Sequence, residues 1–289
     1  MFVQQAMQAG QGGMAWRMLA PVPGSAPGIV PGSAPGAYLP PGGEGGPRLY
    51  REPRTMPPEP NRLVHTPAAE WGPALALVPI AATLAYYVLP ASLRAQTAVQ
   101  FAPQLLAYAA LFLWASRNST VQTRLGLDRT NVRTGLRQGL VTGLALGSLN
   151  TYVILAVFPS LGYDITFLRQ TPHGLLPLFV MVPWMIGGIA FFVEFNFRGF
   201  ILGRLAALES RLWKSGTNSR FSSLALLTTT LLFAFDPFIV QTFQHLHWIA
   251  VWDGLIWGAI RLRTGNLYTT IVAHAVEVLI MYSAVKMAI

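Results

Sequence analysis

A carboxylate and a guanidinium lie four residues apart at the end of a long apolar run, and their types and spacing could do chemistry. The run Leu175–Val193 contains no charged residue, and Glu194 and Arg198 follow it directly. On a helix this spacing puts both side chains on one face, where they can pair. Charged groups at the edge of a bilayer core are costly and tend to be retained for a task. The pair therefore either serves a function or only orients its helix at the membrane edge.

Few other ionisable residues lie within the apolar segments. They are Asp236, His245, His247, Asp253, His274 and Glu277. At about 1.5 Å of helix rise per residue, four groups lie about 6–15 Å from the Arg-rich ends of their segments: Glu194, His274, Asp253 and Glu277. Asp236 lies deeper, and His247 lies about 21 Å above Arg261. We expect Glu194, His274, Asp253 and Glu277 to meet in the half of the membrane next to the Arg-rich ends.

A carboxylate and an imidazole in a semi-buried cavity suit two kinds of hydrolytic site. Glu194 and His274 could bind a divalent metal such as zinc, because both groups are zinc-type ligands. They could instead activate water directly, with the carboxylate as general base and the histidine stabilising the developing oxyanion. The residues that could complete either site are Glu277, Asp253, Asp236 and His247. The alternative is a set of buried polar contacts that hold helices together.

The composition indicates a polytopic membrane protein with an all-α fold. The chain has 289 residues, of which 53% are hydrophobic and 11% charged, against about 25% charged residues in soluble domains. Seven apolar segments approach the length of about 20 residues that a spanning helix needs. They are 71–90, 98–115, 138–158, 174–195, 221–240, 246–262 and 267–286.

The arginines predict how these segments are oriented. Arg-rich stretches precede the first segment and follow the second, fourth and sixth, whereas the other connections hold few basic residues. Because cytoplasmic loops carry the excess of Lys and Arg, this pattern puts the N-terminus in the cytoplasm. Seven spans would then leave the C-terminus outside. We expect an integral protein of a bacterial inner (plasma) membrane.

Charge and cysteine content exclude several classes of function. The formal net charge of +9 fits Arg-rich loops that face anionic lipid, so membrane lipid rather than nucleic acid is the expected partner. The chain contains no cysteine, which excludes disulfides, thiolate metal sites and cysteine nucleophiles. No charged segment followed by an apolar core opens the chain, so we expect no cleaved signal peptide.

The first 66 residues form a region of their own. Val22–Gly28 recurs as Val30–Gly36, and the region is dense in Pro and Gly. Such a composition cannot bury enough apolar surface to order itself. We therefore predict a flexible cytoplasmic tail over 1–66 and a transmembrane helical domain over 67–289.

Several motifs in the second half of the chain resemble the CPBP family of CAAX-prenyl-protease-like and bacteriocin-processing intramembrane proteases, which includes the Rce-type enzymes. Val193–Gly199 resembles the family motif Glu-Glu-x-x-x-Arg-Gly, and Gly254–Leu267 resembles the Gly-rich helix and Arg-Thr-Gly turn before the last motif. Ala273–Ala275 resembles the last motif, which contains a histidine. Leu125–Asp128 also looks like the family. The resemblance covers roughly residues 120–285.

The chain departs from the family pattern at three positions. Val193 stands where the family has the glutamate expected to activate water. Pro237 stands in place of the middle-motif histidine, and Val278 replaces an asparagine of the last motif. The matching residues are Glu194, Arg198, Gly199 and His274.

The resemblance implies an intramembrane endopeptidase that cleaves a membrane-anchored or lipidated peptide, with Glu194, His274 and Arg198 as catalytic residues. The departures leave a second interpretation open, in which catalysis has been lost and the fold serves as a binding or scaffolding protein. A small-molecule transporter is a third interpretation. It would predict internal repeats and broken helices, and no such repeat is evident in the sequence.

Overall fold

The computed structural model describes residues 70–212 and 222–289, and every regular element in these two ranges is helical. The predicted all-α, polytopic helical architecture is confirmed. Both ranges fall in one compact unit, Thr55–Ile289. The tail predicted over 1–66 lies outside the described residues.

The principal helices are numbered in chain order. They are α1 Pro73–Val88, α2 Thr97–Arg117, α3 Arg129–Ser160, α4 Leu178–Leu212, α5 Ser223–Ala234, α6 Pro237–Phe243, α7 Ile249–Thr264 and α8 Leu267–Ala288. Short helical turns join them at Ala91–Arg94, Val121–Arg124, Thr166–Gln170, Pro172–Leu175 and Gln244–Trp248.

The number of helices able to cross a membrane differs from the seven predicted. In the described part of the chain, α2, α3, α4 and α8 are long and apolar enough, and α5 with the stretch Pro237–Thr264 adds a fifth if that bent pair is one span. Helix α1 has 16 residues, or about 24 Å, which is short of a bilayer core of about 30 Å. The fifth predicted segment, 221–240, breaks at Asp236 and Pro237, because proline cannot continue the hydrogen bonding of the preceding turn.

Helices α3 and α8 pack side by side in the same direction along a row of glycines. Gly135, Gly139, Gly143 and Gly147 recur every four residues on α3. A Cβ on the first three would lie 2.6 Å from Tyr268, Val272 and Ala273 in turn, so only glycine allows the two backbones to approach this closely. The order of these contacts shows that the helices are parallel.

Helices α5 and α7 pack in opposite directions. A Cβ on Gly254 would lie 3.0 Å from Thr230 Cγ2, and a Cβ on Gly258 would lie 2.3 Å from Leu226 Cδ1. Later residues of α7 thus meet earlier residues of α5. After the break at Pro237 the chain reverses direction, and α7 runs back alongside α5 into the core beside α8.

The starts of α3 and α8 lie together at the Arg-rich end of the helices. Leu267 N–H donates to the carbonyl of Gly126, and Asn266 Nδ2 donates to the carbonyl of Asn131. Each donor lies 2.9 Å from its acceptor. Asp128 caps the first turn of α3, and the hydrogen bonds it accepts from the Thr130 backbone N–H and hydroxyl hold the pKa of this exposed carboxyl below its usual range. The outer faces are apolar: only 22–28% of the most apolar window of each spanning helix is buried.

Candidate functional site

Glu194 lies at the centre of a fully buried polar group formed by α4 and α8. Its Oε1 accepts hydrogen bonds from Arg198 Nη1 at 2.9 Å and from His274 Nδ1 at 3.0 Å. The Glu194 carboxylate is wholly buried, Arg198 is 1% exposed and His274 is 5% exposed. Because a carboxylate can only accept, the Nδ1 of His274 carries a proton and its Nε2 is free to accept one.

Aromatic rings enclose the cationic and imidazole groups of this site. Trp257 stacks on His274 with ring centroids 4.4 Å apart. The Arg198 guanidinium lies 4.2 Å from the centre of the Phe233 ring and 5.0 Å from that of Trp257, within the range of cation–π attraction. These rings fix the side chains that contact Glu194 and keep bulk water away from them.

The local backbone explains how Glu194 and Arg198 reach α8. A π-helical segment, Phe195–Ile201, starts directly after Glu194, and such wide turns are frequent at functional sites. A Cβ on Gly199 would lie 3.1 Å from Leu267 and 3.3 Å from Leu125. Glycine at this position therefore lets α4 press against the start of α8, seven residues before His274.

A second polar group joins Asp253 and Glu277 through Asn150. The Asn150 Nδ2 donates to Glu277 Oε1 at 2.6 Å and to both oxygens of Asp253 at 3.1 and 3.2 Å. Its Oδ1 accepts from Trp252 Nε1 at 2.9 Å. All three side chains of the group are at most 4% exposed. Asn150 ties α3 to α7 and α8, and sequence reasoning missed it because an amide is not ionisable.

Asp236 lies in a separate place. Its Oδ1 accepts from the backbone N–H groups of Phe238 and Ile239, capping α6, and from Gln104 Nε2 at 2.9 Å. It lines a cavity of about 10 Å³ with Asn196, whose side-chain atoms have no partner among the described residues. This volume suits a single water molecule.

His247 also lies away from Glu194. Its ring packs against Phe235, with centroids 5.4 Å apart, and against Trp248, at 5.0 Å. The structure therefore brings together Glu194, Arg198 and His274, whereas His247 and Asp236 make separate contacts.

The residues gathered around Glu194 fit a divalent metal poorly. Catalytic zinc sites use three protein ligands, and no group of three His, Cys, Asp or Glu residues suited to a metal occurs in the described ranges. Arg198 also forms an ion pair with Glu194 Oε1, the oxygen that contacts His274, so this oxygen is not available to a metal ion. Metal binding by His274 and Glu194 stays a prediction.

Comparison with known families agrees with the sequence motifs. Residues 172–280 match the family model described as type II CAAX prenyl endopeptidase Rce1-like. The match contains Glu194, Arg198 and His274 and is consistent with a member of the CPBP family. No curated protein and no solved structure shows a significant match to the chain.

Proposed function

We propose that the chain is a divergent intramembrane endopeptidase that hydrolyses a peptide bond in a membrane-anchored or lipidated substrate. The observation that carries the proposal is the pair Glu194–His274, because the same carboxylate–imidazole contact orients the base in hydrolases of other folds. The match of residues 172–280 to the Rce1-like family model supports the reaction class. We place the Arg-rich side, and with it the N-terminus, in the cytoplasm.

In this mechanism each of three side chains has one task. Glu194 Oε1 holds the imidazole of His274, so that its Nε2 accepts a proton from the attacking water. The water oxygen then adds to the peptide carbonyl, whose oxygen becomes negative. Arg198 Nη2 has no partner among the described residues and is available to donate to that oxyanion. Protonated His274 then returns the proton to the leaving amine.

This assignment differs from the expectation that Glu194 itself is the general base. Glu194 Oε1 already accepts from Arg198 Nη1 at 2.9 Å and from His274 Nδ1 at 3.0 Å, so this oxygen is occupied by two donors. The second oxygen, Oε2, has no partner among the described residues and can position the water. The mechanism needs no metal, and analysis of metal bound to the purified protein tests that statement directly.

Cleavage of membrane-anchored peptides by the purified protein in liposomes tests the proposal. We expect His274→Gln and Glu194→Gln to lower the cleavage rate by about 10²-fold or more, with thermal unfolding measured in parallel to show that both variants fold. His245→Ala is the matched control, because His245 packs against Tyr163 and Phe167 outside the site. Equal cleavage by all three variants contradicts the mechanism.

The second candidate function is that of a catalytically inactive binding or scaffolding protein, and the burial of the site favours it. Glu194 is wholly buried and Val193 replaces the other expected glutamate. In that role Glu194→Gln would leave function intact, and only substitutions that disturb packing would matter. Absence of cleavage by a folded wild-type protein across lipidated and membrane-anchored peptides would favour this candidate.

A further inference from the structure

Three buried arginines and one carboxylate lie near one another at the Arg-rich ends of the helices. We call Arg124, Arg204, Arg261 and the Glu70 carboxylate the arginine cluster. The three guanidiniums are 7%, 1% and 1% exposed, in that order. They come from three different elements: the turn before α3, helix α4 and the end of α7. The proposed mechanism uses none of them.

The single carboxylate of the cluster is already occupied. Glu70 Oε1 lies 2.6 Å from Arg204 Nε and accepts from Trp114 Nε1 at 2.8 Å. Its Oε2 lies 3.4 Å from Arg124 Nη1. Arg204 also lies over the Trp114 ring at 4.3 Å. Glu70 thus balances one of the three positive charges of the cluster.

Arg261 has no anionic partner in the described part of the chain. None of its three guanidinium nitrogens finds a hydrogen-bond acceptor there, and Arg204 Nη1 finds none either. Arg261 is close enough to Arg204 for the two positive charges to repel. Its guanidinium lies against the glycine turn at Gly126, where a Cβ would come within 2.7 Å of Arg261 Cζ. The cluster therefore has unused donors and two uncompensated positive charges.

The other acidic residues of the described ranges do not supply the missing charge. Seven of them bond elsewhere: Asp128 to Thr130, Asp164 to Thr166, Glu194 to Arg198 and His274, Glu209 to Ala225 N–H, Asp236 to Gln104, and Asp253 and Glu277 to Asn150. Three more acids, Glu44, Glu52 and Glu59, lie outside the described residues. The counter-charge comes either from those three or from a bound anion.

A phosphate group matches the position and donors of the cluster. A buried ion without a partner is strongly destabilising, and guanidinium nitrogens bind phosphate oxygens in a two-pronged geometry. The cluster lies at the end of the helices where the basic connections meet, and basic pockets between helices at the cytoplasmic side hold lipid head groups. Free phosphate and a phospholipid head group offer the same oxygens.

We propose that the arginine cluster binds a phosphate group through Arg261 and Arg204, taken from an anionic phospholipid or from inorganic phosphate. The bound group neutralises the excess charge and ties the end of α7 to α4 and to the turn before α3. Loss of this ligand destabilises the folded protein.

Thermal unfolding of the full chain in a phosphate-free detergent tests the proposal. One arm adds inorganic phosphate, with chloride at equal ionic strength as reference. The other adds phosphatidylglycerol, with a phosphate-free glycolipid as reference. We expect a rise in Tm on the order of 5 °C at saturation in at least one arm, and the arm that responds identifies the source.

Arg261→Met and Arg263→Met form a matched pair, because both remove one arginine from the same turn of α7 and Arg263 is exposed. We expect Arg263→Met to keep the rise in Tm and Arg261→Met to lose it. Arg261→Lys, which keeps the charge without the planar fork, is expected to keep only part of the rise. It is the variant to use if Arg261→Met does not fold.

Two outcomes overturn the proposal. The first is an equal rise in Tm for wild type, Arg261→Met and Arg263→Met, which would place the ligand elsewhere. The second is no rise in wild type in either arm; a rise in the variant Glu44→Gln/Glu52→Gln/Glu59→Gln under the same conditions would then show that carboxylates of the chain itself occupy the cluster.

Discussion

The carboxyl groups of the core are held by different partners, and these partners set what each can do. Glu194 contacts a guanidinium and an imidazole, a combination that suits proton transfer. Asp253 and Glu277 share one amide, the Asn150 side chain, which donates to both carboxyl groups. In the proposed mechanism Glu194 therefore orients His274, whereas Asp253 and Glu277 join helices through Asn150.

Asn150→Ala is expected to destabilise the fold by roughly 1–3 kcal/mol for each buried polar atom left unpaired. The substitution removes the donor to Asp253 and Glu277 and the acceptor for Trp252. Thermal unfolding in detergent measures the effect. Asn131→Ala is the control, because the Asn131 side chain makes no capping bond at the start of its helix. If the two variants unfold at the same temperature, the Asn150 contacts do not stabilise the protein.

The sequence predicts part of this site for clear physical reasons. The Glu194–Arg198 pair follows from helical spacing, and the motifs indicate His274. Asn150 and Trp257 could not be predicted, because each makes contacts that depend on how distant helices pack. The same holds for the arginine cluster: Arg124 and Arg261 look like ordinary basic loop residues until the fold buries them.

Helices α3 and α8 form the closest helix pair around the site, and their contact depends on residue size. Each glycine of the row admits the backbone or Cβ of the partner helix. Because lipid is as apolar as the side chains, close packing of small residues is what holds membrane helices together. The position of Glu277 beside Gly147 follows from this contact.

Gly143→Ala is expected to destabilise the protein by about 1–3 kcal/mol, the usual effect of overpacking. The new Cβ would lie 2.6 Å from the carbonyl oxygen of Ala273, next to His274. Gly187→Ala adds the same methyl to α4, where nothing lies within 4 Å, and should be neutral or slightly stabilising. The unfolding temperatures of the two variants are measured in detergent, and we expect the lower value for Gly143→Ala. Equal values would remove the argument that the glycine row sets the helix spacing.

The elements themselves were predicted better than their breaks. The apolar runs marked the helices, but the predicted segment 221–240 ran through the interruption at Asp236 and Pro237 between α5 and α6. The return of the chain along α5 is not visible in hydropathy, because it depends on the contacts of Gly254 and Gly258. The π-helical turns at Trp184–Phe191 and Phe195–Ile201 follow from packing and have no sequence pattern of their own.

At the scale of the whole molecule, the arginine cluster and the Glu194–His274 pair lie at different levels along the helix axes. The arginine cluster and the basic connections lie at one end, where α3 and α8 begin. Glu194 and His274 lie further along the helices, within the apolar part. A substrate anchored in the bilayer could thus reach the site from the side of the arginines without crossing the membrane.

Cysteine labelling tests this orientation, and the chain contains no cysteine of its own to interfere. Arg129 is exposed at the start of α3, and Leu161 is 67% exposed just beyond its other end. The helix between them has 32 residues, or about 48 Å, which exceeds a bilayer core of about 30 Å. We expect a membrane-impermeant maleimide to label Leu161→Cys in intact cells and Arg129→Cys only after the membrane is opened, because the Arg-rich end faces the cytoplasm. Labelling of Arg129→Cys alone in intact cells would reverse the orientation, and with it the side from which a substrate would approach Glu194 in the proposed function.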